Sequence, residues 1–130
     1  MRKPALLLVS SLLLASCATT RPATSAGATA PQGSNRDFRV PTVMATTGVE
    51  SIIGETPDYL GKRFGNPRID LAEGDARKLQ FASDECVLDI YFYPLREGGD
   101  QVATHIEARQ KQGGGSIDRA ACIAAVERRR

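Results

Sequence analysis

Between residues 86 and 93 the chain alternates without a break. Cys86, Leu88, Ile90 and Phe92 fall on one side; Val87, Asp89, Tyr91 and Tyr93 fall on the other. A period of two marks an extended strand, whose successive side chains point to opposite faces of a sheet. A strand with an apolar face cannot stand alone: it needs paired neighbours and a layer over that face. Pro94 ends it, because proline cannot donate to the ladder. Neighbours are legible on both sides. Ile69 and Leu71 alternate with charged residues in a first strand, Glu73-Gly74-Asp75 makes a turn, and Leu79 and Phe81 continue the pattern in a second. Residues 82–85 turn again into the third strand. Beyond a polar loop at residues 96–100, Val102, Thr104, Ile106 and Ala108 form the inward set of a fourth strand, with Ala103, His105, Glu107 and Arg109 outward.

Helical patterns flank these strands. Residues 49–53 read as a short helix or turn ending at Gly54. Thr56-Pro57-Asp58 is a helix start: Thr56 can cap, Pro57 suits the first helical position and Asp58 favours the positive end of the dipole. Leu60 and Phe64 share one face, Gly65 fits the C-terminal cap, and Pro67 forbids continuation. Residues 110–115 read as a flexible connector. Ser116 then caps a final helix with Asp118 in its first turn, arginines at 128–130, and Cys122, Ile123 and Val126 on one side. The expected fold is α+β: two short helices packed on a small antiparallel sheet of three to four strands, with a C-terminal helix.

The N-terminus obeys different rules. Arg2 and Lys3 give a positive start, and residues 5–15 are almost wholly apolar. That run is too short to cross a bilayer core of about 30 Å as a helix, which takes about 20 residues. It has the length and flanks of a secretory signal. Its end, Leu14-Ala15-Ser16-Cys17, resembles the lipobox of bacterial lipoproteins at all four positions. The resemblance implies cleavage between Ser16 and Cys17, a diacylglycerol on the Cys17 sulfur, and an anchor in a membrane. Ala18, where an Asp tends to retain such proteins in the inner membrane of enteric bacteria, implies the outer membrane, periplasmic face. The alternative is an ordinary cleavable signal with a chance Cys. Residues 18–47, rich in Ala, Thr, Pro, Ser and Gly, cannot bury enough apolar surface to offset their ordering entropy. A weak strand pattern at 38–44 is interrupted by Pro41. Flexible chain of this length spans about 30 Å. The expected organisation is a signal at 1–16, a lipidated tether at 17–47 and a domain at 48–130.

With Cys17 committed to lipid, Cys86 and Cys122 remain. Export places them in an oxidising compartment, where a pair is most simply a disulfide. Their spacing is not Cys-x-x-Cys, which disfavours a redox enzyme, and with one His in 130 residues zinc lacks further ligands. A disulfide here would pin the final helix to the inward face of the third strand. Charge excludes another class. Residues 46–110 carry seven basic against twelve acidic side chains, and residues 111–130 five against two. A basic nucleic-acid footprint is missing from the domain, so no nucleic-acid partner is expected. The basic end reads as a helix terminus or a contact for anionic lipid.

A family resemblance rests on Gly54, on Leu60 ahead of Phe64-Gly65-Asn66-Pro67, on Glu73-Gly74, on Leu79-Gln80-Phe81 and on Cys86-Val87-Leu88-Asp89. Over roughly residues 49–109 these resemble small outer-membrane lipoproteins of the SmpA/OmlA (BamE-like) type, and the Cys122 helix resembles an extension seen in some members. The resemblance implies a pair of short helices on a three-stranded antiparallel sheet. It also implies an accessory role in the machinery that inserts β-barrel proteins into the outer membrane.

No catalytic constellation and no cofactor or metal site is expected. His105 is the only His, on the outward face of a strand, and no Ser or Cys nucleophile has a base beside it in a known motif. Asp84, Glu85 and Asp89 read as a turn and an exposed strand face. Glu73-Gly74-Asp75 reads as a turn, and the three glycines at 113–115 read as a linker. The outward pair Tyr91 and Tyr93, near His105 if strands three and four form a hairpin, reads either as cross-strand packing or as a docking patch. The expected function is a non-enzymatic scaffold or accessory lipoprotein with an envelope protein partner. The alternative is an inhibitor or ligand-binding module, and an envelope hydrolase is the weakest reading.

Overall fold

The computed structural model describes residues 38–129. Ser16, Cys17, the signal and the tether up to residue 37 lie outside the described residues. Four strands, β1 (Ile69–Glu73), β2 (Ala76–Ala82), β3 (Cys86–Pro94) and β4 (Gln101–Gln110), form one antiparallel sheet in the order β1-β2-β3-β4. Helices α1 (Pro57–Phe64) and α2 (Arg119–Arg128) complete the α+β fold. Among the described residues no helix is long and apolar enough to cross a membrane.

The inward face of β3 is the centre of the core: Cys86, Leu88, Ile90 and Phe92 are all 0% exposed. Leu79 and Phe81 flank them from β2, Ile106 from β4, and Leu60, Phe64, Ile123 and Val126 cover them from the helices. The rings of Phe64 and Phe81 lie 5.1 Å apart. α1 forms where its capping signals place it. Thr56 Oγ1 accepts from the Tyr59 N–H at 3.3 Å, Pro57 opens the helix, and Gly65 closes it at φ 84°. Eight residues make a marginal helix in isolation, so packing of Leu60 and Phe64 holds it. Cys86 and Cys122 are disulfide-bonded with Cα atoms 5.9 Å apart, which pins α2 to the start of β3. Arg63 draws the layer together: Nε donates to Glu127 Oε1 at 2.7 Å and Nη1 to Ser51 O at 2.7 Å.

Four local readings are corrected or sharpened. Residues 49–53 form turns rather than a helix, with Val49 and Ile52 buried and Gly54 at φ 92°. The final helix is capped by Asp118, which accepts from the Ala121 N–H at 2.8 Å, and not by Ser116. Ser116 is instead held in an antiparallel bridge to Arg109, so the chain is still paired with β4 there and cannot yet turn into a helix.

The expected alternation of β4 holds from Ile106 onward and inverts before it. Tyr91 pairs with His105 but Phe92 pairs with Ala103, which leaves Thr104 as the extra residue of a bulge. Ala103 therefore turns to the core, 1% exposed, and Val102 joins Tyr93 on the other face. Thr104 is buried but satisfied: its Oγ1 donates to Tyr91 O at 3.4 Å, and its carbonyl accepts from the Met44 N–H at 2.9 Å. Finally, Val87 and Asp89 are buried on the face expected to be outward. Both sit on a central strand with a neighbour on each side, which shields short side chains that an edge strand would expose.

Candidate functional site

The helices cover one face of the sheet, and the other face carries the candidate site. Strand pairing arranges it in rows. Leu71, Lys78, Tyr91 and His105 lie opposite one another across the four strands, and Ile69, Gln80, Asp89 and Glu107 form the next row. Tyr93 and Val102 pair on the same face beyond the bulge. The structure thus brings Tyr91 and His105 together, with ring centroids 5.8 Å apart and planes tilted by 51°. Tyr93 follows two residues along on the same strand.

Tyr91 is the best-held member. Its hydroxyl donates to Glu107 Oε2 at 3.2 Å, and Lys78 Nζ stands 6.0 Å from its ring centre. His105 Nε2 lies 3.5 Å from the other oxygen of Glu107. Burial pushes the Tyr91 hydroxyl up to about 12, helped by the charge of Glu107 and its hydrogen bond, with Asp89 and Tyr93 adding to the shift. The neutral phenol is the form the fold favours. That contribution is complete below the unfolded pKa of about 10 and is lost as pH rises toward the folded value. In an ultraviolet titration, the Tyr91→Phe variant is expected to lack one phenolate step near pH 12. Loss of a step near pH 10 instead would contradict the half-buried, carboxylate-paired environment.

Asp89, beneath this cluster, accepts from Gln80 Nε2 at 2.8 Å and lies 3.8 Å from Arg109 Nε. Asp84 and Glu85 point elsewhere: they are exposed in the β2–β3 turn, paired with Lys111 at 3.6 Å and Arg128 at 3.8 Å. These carboxylates therefore do not converge on one point.

A shallow groove of about 170 Å³ runs along the open face between Leu71, Lys78, Tyr91 and Tyr93, with Glu73 and Ala76 at its end. Leu71 is the member that the sequence pattern misplaces, whereas Lys78 falls on the face opposite the core residues Leu79 and Phe81, as their alternation implies. Ile69 and Leu71 read as a core-facing alternation, yet they are 42% and 51% exposed. The two-residue Gly74-Asp75 turn pairs Glu73 with Ala76, which sets Leu71 beside Lys78 and leaves Asp70 beside the core residue Leu79. Turn length together with the pattern of β2 carries that signal. Arg77 forks onto Asp70 with two bonds of 2.8 Å and holds its carboxyl below the usual range.

A larger cleft of about 560 Å³ lies at the far end of β4. Its polar groups are engaged in the fold: Asp118 caps α2, and Arg119 Nε donates to Ile106 O at 3.2 Å. The groove differs in placing aromatic and aliphatic surface next to solvent. Compared with family models, curated proteins and solved structures, the chain matches none.

Proposed function

We propose that the chain is a lipid-anchored lipoprotein of the outer membrane, facing the periplasm, whose domain is a non-enzymatic docking module for an envelope protein. The lipobox-like residues 14–17 support the anchor, and the SmpA/OmlA resemblance supports accessory work in outer-membrane protein assembly. One observation carries the docking role. An antiparallel sheet covered by helices on one side ordinarily turns a polar face to water. Here the uncovered face presents Leu71, Tyr91 and Tyr93 around a groove. Tyrosine supplies large contact area at low entropy cost and recurs at interface centres.

The test is a Tyr91→Ala/Tyr93→Ala double variant captured with its partners from crosslinked, intact envelopes. Truncating two interface tyrosines is expected to reduce recovery of the partner by about tenfold or more. Both side chains lie outside the core cluster, so Tm is expected to stay within about 5 °C of the parent. Undiminished capture, or a collapse in Tm that explains the loss, would show that the pair serves packing alone. Recovery of a single soluble enzyme in place of envelope assembly subunits would favour the inhibitor reading.

A further inference from the structure

The two edges of the sheet are treated differently. Residues 44–55 cover β4: the Met44 N–H donates to Thr104 O at 2.9 Å, the Gly54 N–H to Ala103 O at 2.8 Å, and the Ala103 N–H to Glu55 O at 2.8 Å. β1 closes the other edge, and all five of its residues are exposed. The hairpin decides which main-chain groups are free there. Its closing pair, Glu73 and Ala76, exchanges both bonds across the two-residue turn, and pairs alternate from that point. Leu71 and Ile69 spend their N–H and C=O groups on β2, whereas Asp70 and Ala72 direct theirs to the open edge. The strand Ile-Asp-Leu-Ala-Glu carries neither Lys nor Pro, and its one inward charge, Asp70, is neutralised by the Arg77 fork.

We propose that this edge pairs with the same edge of a second copy, antiparallel about a two-fold axis through Leu71, joining two four-stranded sheets into one of eight. The inference stands on β1 alone and does not rest on the lipid anchor or on docking at the tyrosines. Symmetry and charge select the register. A two-fold axis perpendicular to the sheet keeps both helical layers on one side, so residues of like face must meet. Centring on Leu71 sets Asp70 opposite Ala72 of the other copy, twice. Those are the residues with free main-chain groups, and together they form four N–H···O=C bonds. Leu71 then meets itself at a non-hydrogen-bonded position, where side chains approach most closely. Just outside the paired residues, the exposed Arg68 preceding β1 faces the hairpin end of the other copy, where Glu73 and Asp75 are exposed, and symmetry repeats that charge complement at the other end. Centring on Asp70 instead would oppose two carboxylates, and centring on Ala72 would set Leu71 against Glu73 and Ile69 against Asp75 with no apolar pair left, whereas centring on Leu71 keeps the leucine pair and opposes only Ile69 to Glu73. The chosen register covers Leu71 and Ile69, the two exposed apolar side chains of β1. It also lays the two tyrosine grooves on either side of a leucine seam, which makes the outer face bivalent.

Cysteine trapping in the full chain tests the pairing, with the parent protein as the control for Cys17. Non-hydrogen-bonded antiparallel partners have Cα atoms about 4.5 Å apart, within disulfide range. Leu71→Cys is therefore expected to give a covalent dimer on mild oxidation, at about tenfold the yield of Ile69→Cys, whose own symmetry mate lies four residues away. Adding Ala72→Pro, which removes a main-chain donor that β2 does not use, is expected to abolish trapping while the monomer keeps its Tm. No dimer from Leu71→Cys as protein concentration rises would overturn the proposal. Equal trapping through Ile69→Cys, or trapping that survives Ala72→Pro, would do so as well.

Discussion

Replacing Cys86 and Cys122 together by Ala is expected to destabilise the domain by about 3–4 kcal/mol. The bond closes a loop of 36 positions, and in the chain-entropy model that loop restricts the unfolded ensemble by this amount. Both sulfurs are fully buried, so their loss also removes packing between α2 and the start of β3. α2 needs that bond more than its sequence suggests. Its Arg119–Arg128 segment is apolar throughout residues 120–126, with charges only at its ends, and its buried side is Cys122, Ile123, Ala125 and Val126, two of them small. In a domain of this size the loss corresponds to about 15–25 °C in Tm. Thermal unfolding with and without reductant measures it, and reductant is expected to reproduce the double variant. A Tm within about 3 °C of the parent would mean that α2 holds to the sheet without the bond.

Phe92→Ala is the second large effect, expected to cost about 3–5 kcal/mol. Phe92 lies at the centre of the sheet, paired with Arg77 on one side and Ala103 on the other, and is fully buried. Ala103 reaches the core only because of the bulge at Thr104, so the site opposite Phe92 has no large side chain that could relax into the cavity. Phe92→Leu is expected to cost about 1–2 kcal/mol, since volume is largely kept. Leu71→Ala is the matched control: the same class of residue, half exposed on β1, is expected to change stability by less than about 0.5 kcal/mol. Urea titrations of the three variants decide the matter through their midpoints. A Leu71 effect equal to that of Phe92 would contradict the assignment of inner and outer faces.

That assignment shows what is legible in the chain and what is not. β3 is legible because four apolar and four mixed residues alternate strictly, and the disulfide because only two cysteines follow Cys17. α1 is legible because Thr56, Pro57 and Gly65 punctuate it. Local pattern fails where a long-range pairing decides the outcome. Ile69 and Leu71 carry a core-like alternation, but parity is passed to them through the Gly74-Asp75 turn from β2, and it sends them outward. The bulge at Thr104 leaves no Gly or Pro in the strand to mark it; its cause is tertiary, in the Met44 and Gly54 groups that bond to that edge. Ser116 and Asp118 are both good caps, and the bridge from Ser116 to Arg109 decides between them. Tyr91, Tyr93 and His105 emerge as neighbours from alternation alone, whereas Leu71 and Lys78 join them only once the register is known.

The docking role is tested most directly by placing a photo-crosslinking side chain at Tyr93, on the open sheet face, and separately at Tyr59, which is 49% exposed on α1. Each full-length variant is irradiated in intact envelopes. The expected result is a discrete adduct with an envelope protein from position 93 and none from position 59. Adducts from position 59 alone, or the same adducts from both positions, would contradict recognition through the uncovered face of the sheet.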